Sequence, residues 1–165
     1  MRFTRFFAVP LFALFLLSTS QAVPPAATAT SPAAMSPAAR QEEYTVCQNF
    51  LGEKLWIWQK RLNLAEWKIT LRLVRVTELK PKTLGNIHWD ADSHTAEIHV
   101  LAPEDYRMTK PAMLADMEFT VVHELIHLEL SSLPRSDASR SAEEHAVNQI
   151  SEALLHLDRR QSGQN

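Results

Sequence analysis

Two histidines and a glutamate in the second half of the chain have the residue types and the spacing of a metal site. The segment reads His123-Glu124-Leu125-Ile126-His127. In a helix, residues four apart lie on one face, so both imidazoles can reach a single metal ion. Glu124 is turned about 100° around the helix axis from His123, which leaves it placed to accept a proton from an attacking water. Neutral imidazole suits Zn²⁺, and zinc with three protein ligands supports hydrolysis.

The third ligand is expected from an acidic segment downstream, Ser141-Ala142-Glu143-Glu144-His145. A carboxylate on a second helix completes the two-histidine, one-glutamate zinc set. We favour Glu144, because Asn148 follows it by about one helical turn and can hydrogen-bond a ligating histidine. Glu143 is the alternative, since it lies on the apolar stripe of the same helix, and His145 is a further one.

A purely structural role for Glu144 competes with ligation. Ser141 and Glu144 have the spacing of a capping box, in which the glutamate would serve only the helix N-terminus. If the helix begins nearer Ser136 or Asp137, Glu144 lies inside it and is free to bind a metal.

The periodicity of apolar residues predicts the elements that position these side chains. We expect a helix over Glu42–Leu62, a strand over Trp67–Val76, a hairpin of Gly85–Trp89 and Thr95–Leu101, a long helix opened by Pro111 and a last helix over about Ser141–His156,. This order predicts an α+β fold, with a small antiparallel or mixed sheet under an N-terminal helix, an active-site helix and a C-terminal helix.

The first 22 residues have the anatomy of a secretory signal peptide. Arg2 and Arg5 precede the apolar run Phe6–Leu17, and Ser20-Gln21-Ala22 provides small residues for cleavage,. The apolar run is too short to span a bilayer, so we expect no integral membrane span in the mature chain. The predicted location is therefore outside the cytoplasm, periplasmic or secreted.

Composition divides the remainder of the chain. Residues 23–40 are rich in Pro, Ala, Ser and Thr without apolar periodicity, which is typical of a linker,. Residues 41–158 are expected to form one folded domain, and residues 159–165 a polar tail,.

Residue counts exclude several other classes of function. The chain has three Gly, which stand far apart, and one Cys, which excludes Gly-rich phosphate loops, cysteine zinc modules and iron–sulfur clusters,. With 17 basic and 19 acidic residues, its charge gives no reason to expect nucleic acid as a partner,.

The two helical segments together resemble the small zincin metallopeptidases of the gluzincin type, whose compact single-domain forms are called minigluzincins. The similarity covers about Trp67–Leu155, and its specific part is His123–Leu128 with Glu143–Ile150. The resemblance implies a zincin-like domain in which His123, His127 and Glu144 bind one zinc ion and Glu124 is the general base.

The same resemblance suggests roles for residues around the metal. Asn148 stands where thermolysin-like relatives use an aspartate to orient a zinc histidine. Zincins pair an extended substrate with the edge strand that precedes the active helix, and here that strand would be Thr95–Leu101,. The expected substrate strand is therefore Ala96, Glu97, Ile98, His99 and Val100. The candidates for the donor to the developing oxyanion are His145, Tyr106 and His99.

The function expected from these features is an exported zinc-dependent hydrolase, a peptidase that acts on a peptide or protein in extended conformation. An amidase acting on cell-wall peptides would use the same chemistry. The rival from another class is a zincin-shaped binding or assembly module that keeps zinc for stability, since a metal can supply folding energy to a small domain.

Overall fold

A computed structural model describes residues 35–134 and 136–163 of the chain. The element order is α1 (Pro37–Arg61), β1 (Lys68–Val74), β2 (Gly85–Asp90), β3 (Thr95–Leu101), α2 (Lys110–Glu129) and α3 (Asp137–Ser162). Short 3-10 turns follow β1, β3 and α2. Three helices and a three-stranded sheet form the small α+β domain that the sequence predicts. The predicted signal peptide and residues 23–34 of the predicted linker lie outside the described residues.

Both terminal helices are longer than the apolar periodicity predicts. Ser36 Oγ accepts a hydrogen bond of 3.2 Å from the N–H of Ala39, and Pro37 is the first helical residue. Helix α1 therefore begins inside the segment predicted as a linker, because Pro37–Arg40 already belong to it. Proline is well suited to this first position, where a backbone N–H has no partner inside the helix. At the other end, α3 continues to Ser162, through most of the predicted tail.

The sheet is mixed, and its strand order is β1-β3-β2. β3 pairs in parallel with β1, with Leu71 opposite Ile98. It also pairs antiparallel with β2, with Ile87 opposite the same Ile98. The hairpin of β2 and β3 is confirmed, but β3 is the central strand.

The prediction that Thr95–Leu101 is the substrate edge strand is therefore wrong. Strand addition requires unpaired backbone groups along one side of a strand, and both sides of β3 are already paired,. This correction covers Ala96, Glu97, Ile98, His99 and Val100. The edge strand of this hairpin is β2.

Helix α2 runs through the centre of the domain, in contact with α1, α3 and the sheet. One face of α2 is buried through Met117, Val121, Leu125 and Leu128. The inner face of β3 packs on the same core through Ala96, Ile98 and Val100, which alternate with more exposed residues,. On α1, Cys47, Leu51, Leu55 and Trp58 are likewise buried. A helix enclosed in this way holds its side chains in fixed positions.

None of the helices formed by residues 35–134 and 136–163 has both the length and the apolar character needed to cross a bilayer.

Candidate metal centre

Helix α2 places His123 and His127 one turn apart, as the sequence predicts. Their rings meet edge to face with centroids 4.7 Å apart, and the two Nε2 atoms are separated by 3.1 Å. Both nitrogens point to the same spot beside the helix. Two imidazole nitrogens that converge in this way form one edge of a coordination polyhedron.

The start of α3 decides which glutamate can join them. Ser136 Oγ accepts from the N–H of Ser139 at 3.2 Å, and Ser139 Oγ accepts from the N–H of Ser136 at 3.0 Å. These two serines cap the helix, so a capping box formed by Ser141 and Glu144 does not exist. Glu144 lies inside the helix, where its side chain is free to reach toward α2.

The carboxylate of Glu144 completes a triangle with the two histidines. Its Oε1 lies 3.3 Å from Nε2 of His127, and its Oε2 lies 3.5 Å from Nε2 of His123. In a tetrahedral site with bonds of about 2.0–2.1 Å, ligand atoms are separated by about 3.3 Å. The donor set and its spacing therefore fit a metal ion. Within the described residues, these three form the only group of at least three His, Cys, Asp or Glu side chains able to hold one.

Glu143 contacts the opposite side of His127. Its Oε1 lies 3.0 Å from Nδ1, and its side chain is 18% exposed, against 50% for Glu144. A carboxylate at Nδ1 favours the tautomer with its proton there, which leaves the Nε2 lone pair directed at the metal position. The two glutamates that the sequence left as alternative ligands therefore contact different nitrogens: Glu143 lies at Nδ1 of His127, and Glu144 lies at the Nε2 atoms of both histidines.

His123 is supported differently. Burial and the neighbouring His127 lower the pKa of His123, while Glu144 and the side chain of Asn148 oppose that shift. The neutral form that results is the one able to bind a metal. Asn148 therefore acts on His123, as the sequence predicts, although Nδ1 of His123 is buried without a well-aligned hydrogen bond.

Glu124 lies in the same cavity as the histidines, on the sheet side of α2. It is only 7% exposed, and burial together with the charge of Glu144 raises its pKa to about 8. A carboxyl group with so high a proton affinity can accept and return a proton near neutral pH.

Gly85 lets the edge strand approach this glutamate closely. A Cβ at position 85 would lie 2.4 Å from Cγ2 of Thr120 and 2.7 Å from the carbonyl oxygen of His99. The same Cβ would lie 3.5 Å from Oε1 of Glu124. Only a glycine fits between α2 and β3 here. Sequence reasoning missed this role, although an isolated glycine in a strand is a known signal of close backbone approach.

These residues share one open cavity of about 800 Å³, within the range of ligand sites,. Its walls come from three places: the turn and edge strand from Lys80 to Trp89, the face of α2 from Phe119 to His127, and the first turns of α3 from Ser136 to Asn148. The three residues predicted as candidate oxyanion donors do not line the cavity within the part of the chain that the structure describes. Tyr106 is buried in the core, His99 packs against His88 on the outer face of the sheet, and His145 is exposed on α3.

Comparison of the chain with models of protein families, with curated proteins and with solved structures finds no match. The resemblance to gluzincins therefore stays a prediction from the residues themselves.

Proposed function

We propose that this protein is an exported zinc-dependent hydrolase that cleaves peptide bonds, with zincin-like chemistry. The observation that carries the proposal is the convergence of His123, His127 and Glu144, with donor atoms 3.1–3.5 Å apart, in a cavity that also holds Glu124. A metal-binding group and a buried carboxyl acid in one open cavity is the combination that metal-assisted hydrolysis needs.

The donor set supports zinc as the metal. Two imidazole nitrogens and one carboxylate oxygen are a known set for catalytic zinc, which keeps a position open for substrate or water. A zinc ion held there would polarise a substrate carbonyl and lower the pKa of the attacking water toward neutrality. Glu143 serves this arrangement by fixing the His127 ring, and Asn148 supports the His123 ring.

Glu124 is proposed as the general base. It is buried beside the histidines but directed toward β2, so it faces the space between the metal-binding group and the edge strand. Its carboxylate would take a proton from the attacking water and pass it to the leaving amine.

The edge strand β2 supports an extended peptide as substrate. The N–H of Leu101 donates to the carbonyl of Leu84 at 2.9 Å. Because backbone direction alternates along a strand, Asn86 and His88 then face β3, whereas the backbone groups of Gly85 and Ile87 face away from it,. Gly85 and Ile87 both line the cavity. A peptide added beside them would lie along the metal-binding group.

Export is supported by the first 22 residues alone, with their basic start, apolar run and small residues before the expected cleavage position,. The proposed location is periplasmic or extracellular.

Metal content and cleavage of a peptide library, measured on the same preparations, test this function. We expect the wild type to bind one zinc and cleave peptides, and Glu124→Gln to keep zinc but lose cleavage. Glu129→Gln is the matched control, because Glu129 is exposed at the end of the same helix. Zinc binding without cleavage by the wild type would favour a binding module, and failure to bind zinc would refute both functions.

A further inference from the structure

Residues 80–83, just before β2, form a tight turn on the wall of the cavity. The carbonyl of Lys80 accepts from the N–H of Thr83 at 3.1 Å and from its hydroxyl at 2.8 Å. Pro81 is the second residue of the turn, and Lys82 is the third, with a φ of 67°. These features are typical of a type II turn, whose third residue is normally glycine because its φ is positive.

Lysine is an unusual residue at that third position. Two other described non-glycine residues have positive φ, Asn63 at 56° and His94 at 49°. Asn and His are among the types that adopt this region most readily, whereas a lysine side chain gives the backbone no such local support. Lys82 is thus present despite a conformational cost, and backbone strain of this kind concentrates at ligand-binding positions.

The turn brings two positive charges to the wall of the cavity. Lys80 and Lys82 both line it, and neither forms an ion pair with a carboxylate of the described residues. The cavity also contains three glutamates, but Glu143 contacts His127, Glu144 contacts both histidines, and Glu124 is buried beside Gly85. Among the described residues, the two ammonium groups of the turn therefore face the cavity without a carboxylate to neutralise them.

We infer that Lys80 and Lys82 bind a carboxylate group of the substrate, so that the hydrolase prefers peptides with a carboxylate near the scissile bond. This inference rests on the proposed function for its substrate class. The anionic groups of a peptide are carboxylates, either the side chains of Asp and Glu or the C-terminal group. Both sources offer the same oxygen acceptors to the two ammonium groups, which act as point charges at the end of flexible stems.

Matched peptides separate the two sources of carboxylate. The first set consists of acetylated, amidated peptide pairs, each with Glu or Gln at one position around the scissile bond. The second set is a single pair that differs only in a free or amidated C-terminus. We expect kcat/KM to be about fivefold higher for the carboxylate member of one pair, because exposed ion pairs give modest gains. Raising the salt from about 50 mM to about 500 mM should shrink that ratio by charge screening.

Variants of the turn assign the preference to its lysines. Lys80→Gln with Lys82→Asn removes both charges, and asparagine keeps the positive φ that position 82 requires. The double variant should fold, bind zinc as the wild type does and cleave the Glu and Gln peptides at nearly equal rates. Lys68→Gln is the control, because Lys68 is exposed on β1 and does not line the cavity.

Binding without turnover keeps this test separate from that of the proposed function. Calorimetry with zinc-loaded Glu124→Gln should show tighter binding of the carboxylate peptide, lost when the two lysines are also replaced. Cleavage of both peptides without discrimination, or discrimination that survives the double variant, would overturn the inference and leave the hydrolase intact. If no peptide is cleaved, the hydrolase fails, and the binding ratio alone decides the role of the lysines.

Discussion

Oε1 of Glu143 lies 3.0 Å from Nδ1 of His127, on the side of the ring opposite the nitrogen that faces His123. The neighbouring glutamate, Glu144, contacts the Nε2 atoms of both histidines instead. Two adjacent residues of α3 therefore have different positions at the site. Glu143 is placed to orient an imidazole, and Glu144 is placed to supply a ligand atom to a metal ion.

Separate replacement of the two glutamates should distinguish these roles. Glu143→Ala is expected to weaken zinc binding by about 10- to 100-fold, the range found for partners that orient a metal-bound histidine. Glu144→Ala should weaken it further, because a ligand is lost. Competition with a chromophoric chelator measures both affinities. Unchanged zinc affinity in Glu144→Ala would mean that Glu144 is not a ligand, and a greater loss in Glu143→Ala would show that the roles are reversed.

Gly85→Ala should destabilise the domain beside the site. Its Cβ would overlap Cγ2 of Thr120 and the carbonyl of His99, neither of which can move freely. Overpacking of this kind costs about 1–3 kcal/mol in free energy of unfolding. Thr120→Ser removes Cγ2 but keeps the hydroxyl that donates to the carbonyl of Asp116, so it should recover part of that loss in the double variant.

Gly52→Ala is the matched control for that substitution. Gly52 lies inside α1 with nothing within 4 Å of an added Cβ. Alanine is favoured over glycine in a helix interior, so stability should rise by up to about 1 kcal/mol. Equal effects of the two substitutions in urea unfolding would contradict the close approach at Gly85.

The metal-free protein should lose stability as pH rises, through Glu124. Its folded pKa is raised from the ordinary 4.5 to about 8, so the unfolded state ionises first. Between these two values the unfolded chain binds fewer protons at this group, and the free energy of unfolding falls by up to about 1.4 kcal/mol per pH unit. Below pH 4.5 the carboxyl is protonated in both states, so the effect disappears there.

Glu124→Gln isolates this contribution. With metal removed by chelation, the variant should gain stability over the wild type as pH increases from 4.5 toward 8, while the two converge at lower pH. Urea unfolding across that interval provides the measurement. If the free energy of unfolding of the wild type and of Glu124→Gln changed in parallel with pH, the pKa of Glu124 would be the same in the folded and unfolded states.

A proline in the edge strand tests the path of the substrate. The N–H of Ile87 points away from β3, so Ile87→Pro removes no hydrogen bond of the sheet, whereas His88→Pro removes one,. Ile87→Pro should keep zinc binding but lower kcat/KM by about three- to tenfold, the value of one hydrogen bond. Undiminished cleavage by a folded Ile87→Pro protein would place the substrate elsewhere.

The helices and the metal-binding group could be predicted because their signals are local. The four-residue spacing of His123 and His127 fixes their common face once α2 forms. The choice between Glu143 and Glu144 depended on where α3 begins, and the serine cap that sets its start is also a local signal. The pair Ser36-Pro37 offered the same kind of signal for α1, but the Ala-rich composition around it favoured a linker,.

The position of β3 could not be predicted in the same way. Hairpin pairing of β2 and β3 follows from a short turn, but the parallel pairing of β1 with β3 depends on contacts distant in sequence,. The contact between Gly85 and α2 is also non-local, as is the convergence of Lys80 and Lys82 on the cavity. Sequence periodicity specifies which face of an element is buried, and not which neighbour covers it.

X-ray absorption at the zinc edge tests the central claim, that His123, His127 and Glu144 hold one metal ion. The protein loaded with zinc and dialysed should retain one equivalent, with two imidazole nitrogens at about 2.0–2.1 Å and oxygen ligands at about 2.0–2.2 Å. A protein in which both histidines are replaced by alanine should retain none. Failure of the wild type to keep zinc, or an unchanged spectrum in the double variant, would contradict the account.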